Sequence, residues 1–447
     1  MHLQRKLGPF ALTSIVVANM IGAGIFTTSG LLLQELGDPA LMLVLWAVGG
    51  AVALCGALAY GELGAAIPRA GGEYAFLSRL YHPLLGFLTG WVSLFAGFSA
   101  PIAASAIGFT AYLTRAFPAL LSPGWLPPDR EAALLPRIYA VAVIAAFTLI
   151  HRRGLDLSAR VQNGLTALKV ALIVGLLATG FALGDGDFGH LEQDLAYPAD
   201  PAGAKSVGLA LMWIMFSYSG WNAAAYLGGE ARRPERSLPR SLLLGTALVT
   251  VLYLGLNLLY VYAVDPAAMA GVIPVAALAV DRLFGSGWER WLSLLLSAAL
   301  FSSLSAYIIL GPRVYYAMAQ DGLFFRFAAR VHPRFGVPSR AIVLQGVLAS
   351  LMVLVGTFDQ ILTYMGFALG IFPVLAVIGL RRLRRRPGGS PRLPGRRWAP
   401  PVYVIASITV LALAFLERPL ESSIALATLA AGVPVYGYFR SRSRGHS

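Results

Sequence analysis

Apolar stretches long enough to cross a lipid bilayer recur along almost the whole chain, and charged residues are confined largely to the connections between them. A bilayer core about 30 Å thick needs roughly 20 apolar residues in helical form. Twelve segments qualify, near residues 10–34, 39–67, 83–114, 137–151, 158–184, 205–229, 241–263, 288–318, 341–357, 361–380, 400–416 and 421–439. The fourth and ninth are the shortest. The expected fold is therefore all-α and integral to the membrane, with twelve transmembrane helices. The connections are too short to hold a soluble domain. Composition agrees: 57% of the 447 residues are hydrophobic and only 13% charged, with a mean hydropathy of +0.70, against about 25% charged in soluble domains.

The net charge of +14 would suit a nucleic-acid binder, but its distribution does not. With the N-terminus inside, the outer connections hold seven basic residues, Arg115, Arg130, Arg137, Lys205, Arg282, Arg290 and Arg418, while twenty-seven fall on the cytoplasmic side. Positive charge collects on the cytoplasmic face of membrane proteins, and here it does so in every loop. The arginine run at 381–386 and the tail residues Arg440, Arg442 and Arg444 read as anchors at anionic lipid. No nucleic-acid partner is expected. The sequence places the protein in the cytoplasmic membrane, multi-pass, with both termini in the cytoplasm. Residues 1–30 carry Arg5 and Lys6 before an apolar run too long for a signal peptide, so this run is the first span. The single cysteine, Cys55, excludes an internal disulfide.

Two spans carry glycine in unusual places. The first reads Asn19-Met20-Ile21-Gly22-Ala23-Gly24-Ile25-Phe26, and the sixth reads Phe216-Ser217-Tyr218-Ser219-Gly220-Trp221-Asn222. They lie five helices apart. Interrupted segments at matching positions of two halves point to a transporter site at the bilayer midplane, because unwound backbone at that depth is tolerated only where it lines a cavity or is buried in protein. The resumed first helix offers N–H groups near Ala23, Gly24 and Ile25 to a carboxylate. The first halves end in carbonyls near Met20 and near Phe216 to Ser219, which suit an ammonium. An α-amino acid carries both groups on one carbon. Close helix packing through small residues is the alternative use of such glycines, and the repeat-related pairing argues against it.

Lys169 is the second distinctive feature. The chain has three lysines, Lys6, Lys169 and Lys205, against thirty-two arginines, and Lys169 falls inside the fifth span. Ionisable groups within the membrane mark functional sites by default. The competing reading is a side chain whose ammonium reaches back to the interface.

At these residues the chain resembles the amino acid–polyamine–organocation transporter superfamily, in particular bacterial relatives of the L-type amino acid transporters. Ile21 through Phe26 is similar to that group's Gly-Ser-Gly stretch. Glu62-Leu63-Gly64-Ala65-Ala66-Ile67-Pro68-Arg69-Ala70-Gly71-Gly72-Glu73-Tyr74 resembles the hallmark after the second helix. Phe216 to Asn222 with Glu230 and the stretch Pro234 to Arg240 resembles the sixth helix and its loop, and Gly311 to Met318 with Asp321-Gly322 the end of the eighth. The resemblance implies a LeuT-like five-plus-five inverted repeat with broken first and sixth helices: residues 1–184 form the first repeat, 185–380 the second, and 381–447 helices eleven and twelve with the tail. It implies that Met20, Ile21, Gly22, Ala23, Gly24, Ile25, Phe216, Ser217, Ser219, Gly220 and Asn222 form the substrate site, with Phe216 as an aromatic gate and Asn222 supporting the unwound sixth helix. It also implies that Lys169 stands where sodium-coupled relatives hold sodium, bridging the first and eighth helices with Ser302 or Ser303. The middle serine of the group's stretch is Ala23 here, so a hydroxyl donor is missing. Residues 115–137 contain no cysteine, so no disulfide-linked heavy chain is expected.

Glu62 with Arg69 or a neighbouring arginine suggests an inner gate, an interfacial carboxylate without a mechanistic role being the alternative; residues 69–82 suggest an interfacial cytoplasmic helix, and Glu230 with Arg232 an anchor for the sixth helix. Trp221, Tyr218 and Tyr307 are candidates for the cavity wall. No histidine spacing suits a metal, and no cofactor is expected. No carboxylate lies centrally in a span, so a second substrate charge would be costly to hold. The favoured function is a sodium-independent, alternating-access transporter of neutral L-amino acids, an exchanger. The alternatives are a proton-coupled symporter and a polyamine or cationic amino acid carrier. A membrane enzyme would need paired carboxylates, a metal set or a nucleophile–base pair at depth, and none is evident.

Overall fold

The computed structural model describes residues 3–22, 24–121, 124, 127–193, 203–272, 275–285, 287–355, 358–385, 393–417 and 419–444. Two isolated β-bridges aside, regular structure among them is helical. The first apolar segment forms two helices, α1 (Pro9–Met20) and α2 (Gly24–Leu36). After these come α3 (Pro39–Ala66), the short α4 (Glu73–Leu80), and α5 (Pro83–Val92), which runs through a π-helical stretch, Ser93–Ser99, into α6 (Ala100–Ala116). Next are α7 (Pro128–His151), α8 (Leu155–Leu183) and α9 (Gly203–Ser217), then a 3-10 turn at Ala223–Tyr226 and α10 (Pro234–Ala263). The remainder comprises α11 (Pro266–Met269), α12 (Val275–Phe284), α13 (Glu289–Gln320), α14 (Ser339–Val355), α15 (Phe358–Arg384), α16 (Ala399–Glu417) and α17 (Pro419–Arg444).

Seven helical runs among the described residues are long and apolar enough to cross a membrane: Pro39–Ala66, Pro83–Thr114, Leu134–His151, Asp156–Leu183, Pro234–Ala263, Ser293–Gln320 and Ser422–Arg442. Shorter apolar helices occur at Pro9–Met20, Ser206–Ser217, Ser339–Val355 and Ala399–Leu413. The starts of several helices are chemically marked. Asp38 accepts from the N–H groups of Ala40 and Leu41 at 2.8 and 3.0 Å, with Pro39 at the first helical position of α3. Both devices suit a helix N-terminus, whose first N–H groups lack intrahelical partners.

Two elements differ from the hydropathy reading. α7 starts at Pro128, well before the apolar segment at 137, because its polar first turns continue the helix beyond the lipid-length run. The sixth segment stops being α-helical at Ser217, and its second half is turns and one 3-10 turn. Gly220 sits at φ +97°, a conformation that glycine adopts without steric cost.

The halves of the two broken segments pack against each other. α2 lies along α9, and the Ala223–Tyr226 turn lies against α1. α1 also touches α8, α10 and α13, while α3 packs on α10 and α6 on α13. Backbone bonds tie the ends. The Leu7 N–H donates to the Glu230 carbonyl at 2.9 Å, the Arg232 N–H to the Leu7 carbonyl at 2.8 Å, and the Gly71 N–H to the Tyr226 carbonyl at 3.0 Å.

Candidate functional site

α1 ends at Met20 because the next residues leave the helical region, Ile21 adopting φ −74° and ψ 92°. The carbonyls of the last turn need other donors, and buried side chains supply them. Tyr253 of α10 donates to the Met20 carbonyl at 2.7 Å and lies 3.1 Å from the Ser217 carbonyl, so one hydroxyl touches both breaks. Tyr307 of α13 donates to the Asn19 carbonyl at 3.3 Å. The Phe216 carbonyl accepts from the Ser219 N–H at 2.9 Å.

Lys169 supplies the rest. Its side chain is 1% exposed, and Nζ donates to the carbonyls of Ile21 at 2.6 Å and Ala18 at 3.2 Å and to Ser303 Oγ at 2.9 Å. The Ser303 hydroxyl also lies within hydrogen-bond distance of both carbonyls, at 2.7 Å from Ile21 and 3.1 Å from Ala18. A cation thus stands among carbonyl and hydroxyl oxygens where α1, α8 and α13 meet. The ammonium ends on oxygens inside the protein, not at its surface. Of the two serines suggested as partners, Ser303 makes the contact. Ser302 instead faces Gln162, whose Nε2 lies 3.3 Å from the Ser302 carbonyl and 3.5 Å from its hydroxyl.

The two breaks approach so closely that glycine is required. A Cβ on Gly24 would stand 2.5 Å from Ser217 Oγ and 3.1 Å from Ser217 Cα. One on Gly220 would be 2.8 Å from the Asn19 carbonyl oxygen. At Gly22 the same construction meets only the Met20 carbonyl, at 4.0 Å, so that side of the break faces open space. Ser217 Oγ donates to the Trp213 carbonyl at 2.9 Å, and Thr28, which donates to Gly24, lies 3.4 Å from it. Ile25 is fully buried, whereas Phe216, Ser219 and Gly220 are half-buried. Ala23 lies outside the described residues. Of the suggested wall aromatics, Tyr218 is buried with its hydroxyl on the Trp46 carbonyl at 3.1 Å, and Trp221 packs edge-on against Tyr60 and Tyr403.

At the arginine-rich end several ion pairs form. Glu62 does not pair with Arg69. It takes a bidentate contact from Arg384, at 2.8 and 2.6 Å, with Arg396 at 3.4 Å, because α15 brings its terminal arginines to the end of α3. Arg69 pairs with Asp321 at 3.0 Å, and Tyr74 donates to the same carboxylate at 2.8 Å. Glu230 forms a fully buried fork with Arg313 of α13, both bonds 2.9 Å. Within the stretch 69–82 the helix is α4, Glu73–Leu80, and its residue Glu73 is also buried. Its Oε1 accepts from Tyr60 at 2.8 Å and from the Asn222 amide.

Sequence reading missed Tyr253, Glu73 and the Glu230–Arg313 pair. Tyr253 and Arg313 carried a weak signal, being polar groups set well inside apolar helices. Glu73 carried none, because burial of α4 depends on packing between distant segments.

Interrupted helices packed on each other inside an apolar bundle, with a buried ammonium at the break, define a multi-pass membrane transporter. A family model described as amino acid permease matches residues 7–428, and the chain belongs to that family. Among known proteins it is similar to the serine/threonine exchanger SteT of Bacillus subtilis, 28% identical over 447 residues, covering 98% of each chain. It is also similar to the mouse Asc-type amino acid transporter 1, 27% identical over 439 residues, covering 97% of this chain and 81% of the other. With the human large neutral amino acids transporter small subunit 2 it shares 28% over 438 residues, covering 97% and 80%. These relatives are transporters rather than enzymes, and amino acid transport is the activity they have in common with this family.

Proposed function

We propose that the protein is a sodium-independent, alternating-access exchanger of neutral L-amino acids in the cytoplasmic membrane. The observation that carries this reading is the Lys169 ammonium among the carbonyls of Ala18 and Ile21 and the Ser303 hydroxyl. Carbonyl and hydroxyl oxygens in that arrangement would suit a hard cation, and a tethered ammonium fills the place without an ion gradient. The printed activity of one relative, serine/threonine exchange, favours the same mode.

In this reading the chain spans the membrane twelve times with both termini in the cytoplasm. Residues 1–184 and 185–380 are inverted repeats of five helices, and 381–447 form two outer helices and the tail. The first turn of α2, around Gly24 and Ile25, holds the substrate carboxylate with its N–H groups. The carbonyl oxygens of Met20, Phe216 and Ser219 take the ammonium, since a carbonyl has two lone pairs and can accept a second donor. Ile21, Gly22, Ala23, Ser217, Gly220 and Asn222 complete the site, Phe216 closes over it, and Ser302 supports Lys169 from behind Ser303. Arg69–Asp321 and α4 close the cytoplasmic side. The lack of a cysteine over 115–137 supports action without a disulfide-linked heavy chain.

The test is uptake of labelled neutral amino acids into proteoliposomes in sodium-free buffer, with and without internal amino acid. Uptake strongly accelerated by internal substrate is expected. Uptake that needs sodium, or none for any amino acid, would overturn the reading.

A further inference from the structure

Glu73 lies outside the membrane-spanning runs, on α4, yet its side chain is 1% exposed. Among the described residues, the groups shown to interact with its carboxyl are neutral. Tyr60 of α3 and the Asn222 amide donate to Oε1, and among the described residues no donor stands in hydrogen-bond geometry to Oε2. The Tyr226 hydroxyl adjoins both the Glu73 carboxyl and the Asn222 amide, and the other titratable groups around the cluster are Tyr403 of α16 and, beyond Tyr226, Tyr315 of α13. Four arginines at this end are paired with other carboxylates: Arg313 with Glu230, Arg69 with Asp321, Arg384 and Arg396 with Glu62. A buried carboxylate is ordinarily paired with a cation or fully hydrogen-bonded; among the described residues this one has no cationic partner, and its Oε2 lacks a donor in hydrogen-bond geometry.

We propose that Glu73 is a proton-binding site of the carrier, holding a proton in the conformation described here and releasing it when the stretch carrying Asn222 and Tyr226 moves. The binding step forms one O–H bond on Oε2 and removes one charge from the interior; release reverses it. Burial pushes the carboxyl above the ordinary range, against the lowering effect of its hydrogen-bond donors. Binding of the proton stands independently of the transport reading, and its release on movement rests on that reading. Coupling then follows from connection: Asn222 and Tyr226, both beside the carboxyl, sit on the second half of the broken sixth segment, so its displacement changes what surrounds Glu73.

The test combines infrared spectroscopy of the purified protein with transport. A protonated-carboxyl C=O band is expected in the wild type at neutral pH and is expected to vanish in Glu73→Gln. In proteoliposomes an inward acid gradient should stimulate uptake several-fold in the wild type but not in Glu73→Gln, which should keep exchange at equal pH. A band that persists in Glu73→Gln, or none in the wild type between about pH 5 and pH 9, overturns the site. Should Glu73→Gln fail to fold, Tyr226→Phe decides: loss of the hydroxyl beside the carboxyl shifts the band, and an unmoved band assigns it to another carboxyl and overturns the proposal. A band lost as expected, with wild-type uptake indifferent to the gradient, overturns release. Failure of all amino acid uptake would sink the exchanger reading and the release step, while the infrared arm still decides whether Glu73 binds a proton.

Discussion

Lys169 Nζ stands 2.6 Å from the carbonyl oxygen of Ile21, joining the middle of α8 to the point where the first segment loses its helix. The same ammonium holds Ser303 at 2.9 Å, so three helices meet on one charge. Hydrogen bonds to a charged group contribute about 1.5–3 kcal/mol each, and here they fix the geometry of the break itself.

Lys169→Ala is therefore expected to lower sodium-free exchange by more than about tenfold, a loss of about 1.4 kcal/mol or more. Lys169→Arg should not restore it, because a planar fork cannot replace a compact ammonium among three converging oxygens. Counterflow in proteoliposomes, normalised to folded protein, measures both. Unchanged counterflow in Lys169→Ala would remove the residue from the mechanism.

Glu230 and Arg313 test a different property. Their fork is buried on both sides, and removing one partner of such a pair costs about 3–5 kcal/mol because the other charge is left unpaired. Glu230→Gln should lower the melting temperature in detergent substantially. Pairing it with Arg313→Gln should recover part of the loss. Equal destabilisation by the single and double variants would contradict the pairing.

The approach of Gly24 to Ser217 predicts a steric rescue. Gly24→Ala places a methyl 2.5 Å from Ser217 Oγ and should abolish exchange or cut it by orders of magnitude. Adding Ser217→Gly removes the clashing side chain and should restore activity in part, with Ser217 Cα still 3.1 Å from the new methyl. No rescue would mean that Gly24 serves the site through something other than the clearance.

Glu73 gives a pH dependence of stability. Its carboxyl titrates above the usual range when folded, chiefly because it is buried. The neutral form is thus favoured by folding. That stability is fully present below the unfolded carboxyl's pKa, about 4.3, and is lost as pH rises from there through the folded value. Thermal melts should fall with rising pH across that window in the wild type and show a flatter profile in Glu73→Gln. Parallel profiles would count against the burial effect.

Arg69 and Asp321 should behave oppositely to the buried pairs. Their side chains are 47% and 31% exposed, and exposed ion pairs contribute about 0–1 kcal/mol. Arg69→Gln should barely change the melt, but salt should speed wild-type exchange more than it speeds the variant's. A melt lowered as far as by Glu230→Gln would refute this ranking.

Sequence alone determined that the chain is a helical membrane protein, where its two breaks lie, and which cation is singular. These are local properties: apolar length reports the lipid core, glycine reports backbone freedom, and one lysine among arginines needs no partner to be noticed. Tertiary structure decided everything that depends on which distant residues meet. Ser303 rather than Ser302 faces Lys169, Arg384 rather than Arg69 reaches Glu62, and Tyr253 touches both breaks. One-residue differences in helical phase turn a side chain by about 100°, so neighbours such as Ser302 and Ser303 face different partners. Glu73 is the clearest case. In the sequence it is one acidic residue in a loop motif, and only the packing of α3, α4, α16 and the stretch after α9 encloses it in neutral donors, where a carboxyl holds its proton.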